Sequence, residues 1–175
     1  AKLEKLPEIV LFADGAAIPF RGVAHRIEHR PSARGTAWIE HDESGSAKLC
    51  VAGNAAHVSR RVTDFLKREA MRALSEASRA YDLRLGVTLG KITLRDSASR
   101  WGSCSSEGRL NFSWRLVCAP PFALDYVAAH EVAHLREMNH SNRFWKLVGR
   151  AMPDWEQARY WLQEKGSHLH AIGDD

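Results

Sequence analysis

Apolar and polar positions follow two different periods along this chain, and the change falls near Ser59. Before it, short apolar stretches read as strands. Ile9-Val-Leu-Phe12 is followed by Asp14-Gly15, a hairpin turn signal, and then by Ile18-Pro-Phe20. Ala37-Trp-Ile39 and Ala47-Lys-Leu-Cys-Val51 flank the polar turn His41-Asp-Glu-Ser-Gly45, so residues 9–52 predict a meander-like sheet. Past Ser59, a plausible N-cap, Val62, Phe65, Leu66, Ala70, Ala73, Leu74 and Ala77 recur at three- and four-residue spacing, the mark of an amphipathic helix. That helix is expected to end near Tyr81-Asp82.

Val87 to Leu94 is rich in β-branched residues and predicts a strand; Arg95 to Gly108 predicts a loop. Arg109 to Trp114 alternates Leu110 and Phe112 with polar neighbours, as a half-buried strand does. Pro120-Pro121 suits the first turn of a helix, where no amide hydrogen is needed, and this helix is expected to run to about Met138. Ser141 caps another helix carrying Phe144, Trp145 and Val148. Pro153 and Asp154 begin a last one, with Trp155, Ala158, Trp161 and Leu162 apolar and Gly166 as its stop. The tail from His168 to Asp175 is expected to fray. These elements give an α+β fold class, divided into an N-terminal β-rich region (1–58) and a larger catalytic unit (59–175).

The composition suits a globular domain: 175 residues, 45% hydrophobic and 26% charged, exclude a disordered tail, a coiled coil or a collagen-like rod. The longest uncharged apolar run, Leu116 to Leu124, contains two prolines and is far short of the roughly 20 residues that span a bilayer. Lys2, Glu4, Lys5 and Glu8 leave no secretory apolar stretch in the first ten residues. Cys50, Cys104 and Cys118 lack CxxC spacing and read as free thiols, so a soluble, cytoplasmic protein without a membrane partner is expected. Nothing in the sequence bears on its oligomeric state. The net charge of +4 is unevenly placed: residues 1–58 balance, residues 59–115 hold 12 basic against 6 acidic residues, and residues 116–175 hold 6 against 8. The basic middle is a solvated helix face or a surface for phosphate or nucleic acid.

The chemistry concentrates in His130-Glu-Val-Ala-His134. Four helical residues turn through about 400°, so the two imidazoles lie about 40° apart around the axis and can reach one ion. Glu131 sits about 60° to the side of His134, near enough to address a water on the metal but poorly placed as a ligand. Zinc fits best, since imidazole suits it and hydrolysis needs an open fourth position. His140 is the prime candidate for the third ligand. On a continuing helix it would point about 240° away from His134, so the helix must stop between them, and Asn139 is the residue suited to a left-handed turn there. The spacing equals that of the metzincin pattern HExxHxxGxxH, but Glu137 stands in place of its glycine. Cys104 as a fourth ligand would close the site and make it structural. His25, His29, His41, His57, His168 and His170 lack ligand spacing. The chemistry that follows is a zinc-activated water attacking a carbonyl, with Glu131 as general base; Tyr126, Tyr160, Arg100 and Arg115 are candidate oxyanion donors.

Arg100-Trp-Gly-Ser-Cys-Ser105, Leu110-Asn-Phe112, Tyr126, His130-Glu-Val-Ala-His-Leu135, Asn139-His-Ser141 and Phe144-Trp145 together resemble the YgjP-like metallopeptidase family, a relative of the SprT-like and other zincin peptidases. The likeness is dense from Ile92 to Leu162 and looser through the helix before it. It implies a zinc-dependent hydrolase with His130, His134 and His140 as ligands and Glu131 as catalytic acid/base. It also implies a zincin-like (minigluzincin) core in which a strand beside the HExxH helix receives an extended peptide; residues 109–114 are the expected edge strand. The adjoining loop then lines the cleft, with the Gly102 backbone approaching the ligand and Arg100 holding a carboxylate or phosphate. Arg100, Trp101 and Asn111 are the candidate substrate-binding residues, although Trp101 equally suits the buried anchor of a tight turn. Phe144, Trp145, Trp155 and Trp161 read as packing of the last two helices on the metal helix.

A zinc metallopeptidase acting on a peptide or protein substrate is the leading reading. The alternatives are a metal-dependent nucleotide (UTP-type) pyrophosphohydrolase, suggested by the arginines around the loop, and a DNA-associated SprT-like protease with salt-sensitive nucleic-acid affinity.

Overall fold

A computed structural model describes residues 9–97 and 99–173. Its first sheet contains β1 (Ala17–Phe20), β2 (Val23–Arg30), β3 (Ala37–His41) and β4 (Ala47–Ala52), in the order β1-β2-β4-β3. β4 lies parallel to β2 and antiparallel to β3, so the sheet is mixed and not the expected meander. β2 escaped the apolar pattern because one of its two buried residues is His25, whose ring bonds the Val23 carbonyl at 2.7 Å and meets Phe20 edge-on. The hairpin also falls elsewhere than expected. Phe20 pairs with Val23 across Arg21-Gly22, both at positive φ (52° and 77°), as a type I′ turn requires. A β-carbon on Gly22 would stand 2.9 Å from Pro120 Cα, so this tip packs tightly on the chain that opens the HExxH helix. Asp14-Gly15 does turn the chain, but residues 9–12 form no strand of the sheet; Val10 instead makes a parallel bridge to Ile172.

The long helix α1 (Val58–Leu85) presents Val62, Phe65, Leu66, Ala70, Leu74, Tyr81 and Leu85 as a buried stripe, which packs with Ile18, Phe20, Ile27, Leu49 and Val51 of the sheet in one core. It starts from a 3₁₀ turn (Ala55–His57) whose cap is Asn54, not from Ser59, which lies inside the first turn. It ends beyond the expected Tyr81-Asp82, where Gly86 takes the left-handed conformation (φ 64°) and returns its N–H to the Asp82 carbonyl.

The second sheet has β5 (Ile92–Arg95), β6 (Gly102–Cys104) and β7 (Leu110–Ser113), in the order β5-β7-β6. The strand expected over Val87–Leu94 is thus confined to its end. Residues 109–114 do not provide the free edge either, since β7 is the central strand; the edge beside the HExxH helix is β6, inside the segment expected as loop. Gly-Ser-Cys carries no apolar periodicity, and backbone bonds from Ser113 N–H to the Trp101 carbonyl and from Ser105 N–H to the Arg109 carbonyl fix it.

A buried 3₁₀ turn (Trp114–Cys118) leads into α2 (Pro121–Ala133), followed by α3 (Asn142–Ala151), α4 (Trp155–Lys165) and α5 (Ser167–His170). α2 is buried nearly all round, against α1, α3, α4 and β6. The three cysteines are free thiols. Among the described residues no helix is long and apolar enough to cross a membrane. The tail does not fray as far as Gly173: Leu169, Ala171 and Ile172 are buried, and buried Arg115 donates from Nε to the Ile172 carbonyl at 2.8 Å. Residues 174–175 lie outside the described residues. Ile172→Ala should therefore cost about 3 kcal/mol. In a chain of this size that lowers the thermal midpoint by roughly 6–12 °C, and a drop under about 2 °C would contradict the packed tail.

Candidate metal centre

The site depends on where α2 ends. His130 and His134 share a face, and His134 is the C-cap of α2, its N–H reaching the His130 carbonyl at 3.3 Å. The chain then tightens: Leu135 N–H bonds the Val132 carbonyl and Arg136 N–H the Ala133 carbonyl, at 3.0 and 3.1 Å. The helix thus stops short of the expected Met138. Asn139 does not supply a left-handed turn; Arg21 is the one non-glycine at positive φ among the described residues. A three-residue turn centred on His140, closed by Ser141 N–H to the Asn139 carbonyl at 2.8 Å, reverses the chain instead. Ser141 then caps α3 through the Phe144 N–H, as its residue type predicts.

This path brings the Nε2 atoms of His130, His134 and His140 to 3.1–3.2 Å from one another. His134 Nδ1 faces the Glu137 carbonyl at 3.0 Å, an acceptor only, so that nitrogen carries the hydrogen and the neutral ring turns a bare Nε2 lone pair toward its two neighbours. Burial, reinforced by the neighbouring His134 and His140, drives the His130 pKa down to about 3, and burial lowers that of His134 as well. Three imidazoles thus converge where hydrogen bonds cannot satisfy them all. Tetrahedral ligands about 2.0–2.1 Å from a zinc ion stand about 3.3 Å apart, so the donor set fits such an ion. Cys104 lines the same cleft but is not part of the cluster; burial pushes its thiol up to about 11.

Aromatic rings hold the imidazoles. Phe144 stacks on His134 with centroids 4.4 Å apart, and Trp145 lies against His140 and stacks on Trp155 at 4.5 Å. Tyr126, one turn before His130, places its hydroxyl 3.3 Å from His130 Nδ1. The expected packing role of Phe144, Trp145 and Trp155 is thus a role in orienting the cluster, whereas Trp161 meets Phe122.

Glu131 is 4% exposed, with Oε1 4.0 Å from His134 Nε2. Burial raises its carboxyl pKa to about 7, against the opposing pull of Arg100. A β-carbon on Gly102 would stand 2.9 Å from Glu131 Cγ and 3.1 Å from Oε2, so the edge strand crosses directly over this carboxylate. The cleft, about 430 Å³, lies between β6 and α2 and contains Arg100, Trp101 and Tyr126 as well as the cluster. Asn111 does not line it; its side chain bonds Ser103 Oγ and Arg95, tying β6 to β7. Arg115 and Tyr160 also lie outside it, the first buried against the tail and the second exposed on α4. Sequence reasoning missed Met138 and Leu162, which line the cleft, and His170, which stacks on Trp101 at 3.9 Å. No residue spacing marks these three, because each reaches the cleft through tertiary packing.

The fold and site define a metallopeptidase-type domain. The chain belongs to the YgjP-like metallopeptidase domain family, whose family model matches residues 1–165. Among solved structures it is similar to the metallopeptidase zymogen of Pyrococcus abyssi abylysin, at 18% identity and a TM-score of 0.48, over 53% of this chain and 95% of that one. Curated proteins give no match.

The close passage of Gly102 over Glu131 is open to direct test. Gly102→Val should displace the carboxylate while leaving the three histidines in place. Hydrolysis of an unfolded protein substrate is expected to fall about 100-fold with bound metal unchanged; undiminished turnover would show that the contact does not position Glu131.

Proposed function

We propose that this protein is a zinc-dependent metallopeptidase that cleaves peptide bonds with Glu131 as general base. The observation that carries this reading is the meeting, in one cleft, of three convergent imidazole nitrogens, a buried carboxylate and an open strand edge. His130, His134 and His140 would hold the ion. When bound, zinc supplies Lewis acidity that polarises the scissile carbonyl and acidifies a water. Glu131 takes a proton from the attacking water and delivers it to the leaving amine. Tyr126 places its hydroxyl against His130 Nδ1, the nitrogen not engaged in the cluster, and so holds that ring with Nε2 toward the ion.

Substrate is aligned by β6. Trp101, Ser103 and Ser105 face Ser113, Asn111 and Arg109 in the ladder, so alternation leaves the N–H and C=O groups of Gly102 and Cys104 on the open side. An extended peptide pairing there lies across Glu131 and the cluster. Every residue lining this cleft falls between Arg100 and Leu162, which supports residues 59–175 as the catalytic unit and residues 1–58 as an accessory β-rich region. A nucleoside triphosphate is less well served: besides the histidines, the cleft lining holds one cation, Arg100, and the carboxylate of Glu131 faces the same space.

The purified protein is expected to bind about one zinc per chain and to lose it in His140→Ala, as elemental analysis reads. In Glu131→Gln, zinc stays bound while peptide cleavage falls by about 10²–10⁴-fold. Full cleavage by that variant, or pyrophosphate release from UTP without peptide cleavage by the wild type, would sink the peptidase reading.

A further inference from the structure

The segment that carries the cleft wall is tied down by the end of the chain. Asp96 pairs with buried Arg115, and Arg115 donates to the Ile172 carbonyl. His170 Nδ1 donates to the Ser97 carbonyl at 3.1 Å, while its ring stacks on Trp101 with centroids 3.9 Å apart and planes 19° from parallel. Gly166 lets Trp101 sit close, since a β-carbon there would meet the indole at 3.1 Å. Ser97 Oγ in turn accepts the Arg100 N–H at 3.1 Å. The backbone at Arg100 is therefore fixed, although the residues around it have little apolar side chain to bury.

What this bracing presents is a guanidinium. The Arg100 side chain lines the cleft, acts electrostatically on Glu131, and has no side-chain hydrogen bond or ion pair among the described residues. Arg100 is exposed at the cleft, where Trp101, Val127, Met138 and Leu162 line the same space, so its position and not its burial sets it apart from the arginines of α1. A guanidinium fork matches a carboxylate in two parallel hydrogen bonds. Arg100 stands two residues before Gly102, at most about 7 Å of chain. That reach corresponds to a group one or two residues along a peptide from the bond lying over Glu131.

We propose that Arg100 is the specificity-determining residue of this cleft, holding a substrate carboxylate one or two residues from the scissile bond. The inference rests on the peptidase reading and names its substrate class: peptides with an acidic side chain there, or with a free C-terminus at that distance. Both sources offer the same carboxylate chemistry.

The test reads binding without turnover. Zinc-loaded Glu131→Gln protein is titrated calorimetrically with peptides differing in one scanned position, Asp, Asn or Lys, each with a free or an amidated C-terminus. The peptides that carry the matching carboxylate, side-chain or terminal, are expected to bind about 10-fold or more tighter than the amidated Lys peptide. Adding Arg100→Glu reverses the order, and Arg100→Lys retains part of it; zinc content and the thermal midpoint report that these variants fold. Loss of the preference on changing Asp alone identifies a side-chain carboxylate, and loss on amidation alone identifies the terminus. Equal binding of all the peptides whatever their side chain or terminus, a preference that survives Arg100→Glu, or no peptide binding at all overturns the proposal. So does UTP bound through Arg100 in preference to every acidic peptide. If the acidic preference holds but the wild type cleaves none of these peptides, the peptidase reading fails while carboxylate binding by Arg100 stands.

Discussion

The centre depends on ending a helix at the right residue. An α-helix delivers two imidazoles to one point at four-residue spacing but carries a third, six residues later, away from it. Terminating α2 at His134 is therefore the condition for a three-histidine cluster. Two consecutive i→i−3 hydrogen bonds, from Leu135 and Arg136, tighten the chain at that place. The turn centred on His140 and the Ser141 cap then start α3 at once, so Phe144 arrives under His134 as a stacked ring. The same few residues end one helix, present the third imidazole and begin the next helix.

A second constraint acts from the other side of the cleft. Glu131 is buried because the edge strand passes over it, and that passage is possible because residue 102 has no side chain. The burial that results lifts the carboxyl into the range where it can both accept and release a proton near neutrality. Strand β6 has three residues and no apolar periodicity, so little in its own sequence would hold it there. Its position is inherited from β7 on one side and, through Trp101 and Ser97, from the tail on the other. The most distant part of the chain thus helps set the geometry of this buried carboxylate.

These facts explain which parts of the molecule were legible in the sequence. α1 could be read because its stripe of Val62, Phe65, Leu66, Ala70 and Leu74 is long and regular, and the His130–His134 pair because helical spacing alone dictates it. His140 could be placed by exclusion, but not the turn that brings it in: the chain used 3₁₀ tightening, which any residue can adopt, instead of the left-handed Asn139 that composition suggested. β2 and β6 were hidden for opposite reasons, one by a histidine at a core position, the other by residues too small to show a period. The tail was misread because its order comes from partners far away in sequence. Arg115, Val10 and Trp101 meet it through contacts that no local pattern encodes.

The charge of the middle segment also changes meaning once folded. Its excess of six basic residues reads in the sequence as a solvated helix face or as a surface for phosphate or nucleic acid. Arg61 and Arg84 instead donate to the carbonyls of Ala52 and Ala151, Arg115 is buried against Asp96 and the tail, and Arg72 and Arg109 pair with Glu69 and Glu107. Much of the apparent surplus is thereby committed to holding segments together, and the charge left on α1 faces solvent, where ions screen it. Arg100 differs in place more than in sign. It is the arginine among the cleft-lining residues, on a backbone braced from three directions, beside the carboxylate that the edge strand buries. On the proposed reading, one cation presented from a braced backbone distinguishes substrates more sharply than a row of cations on a helix, because only the former must be matched in position.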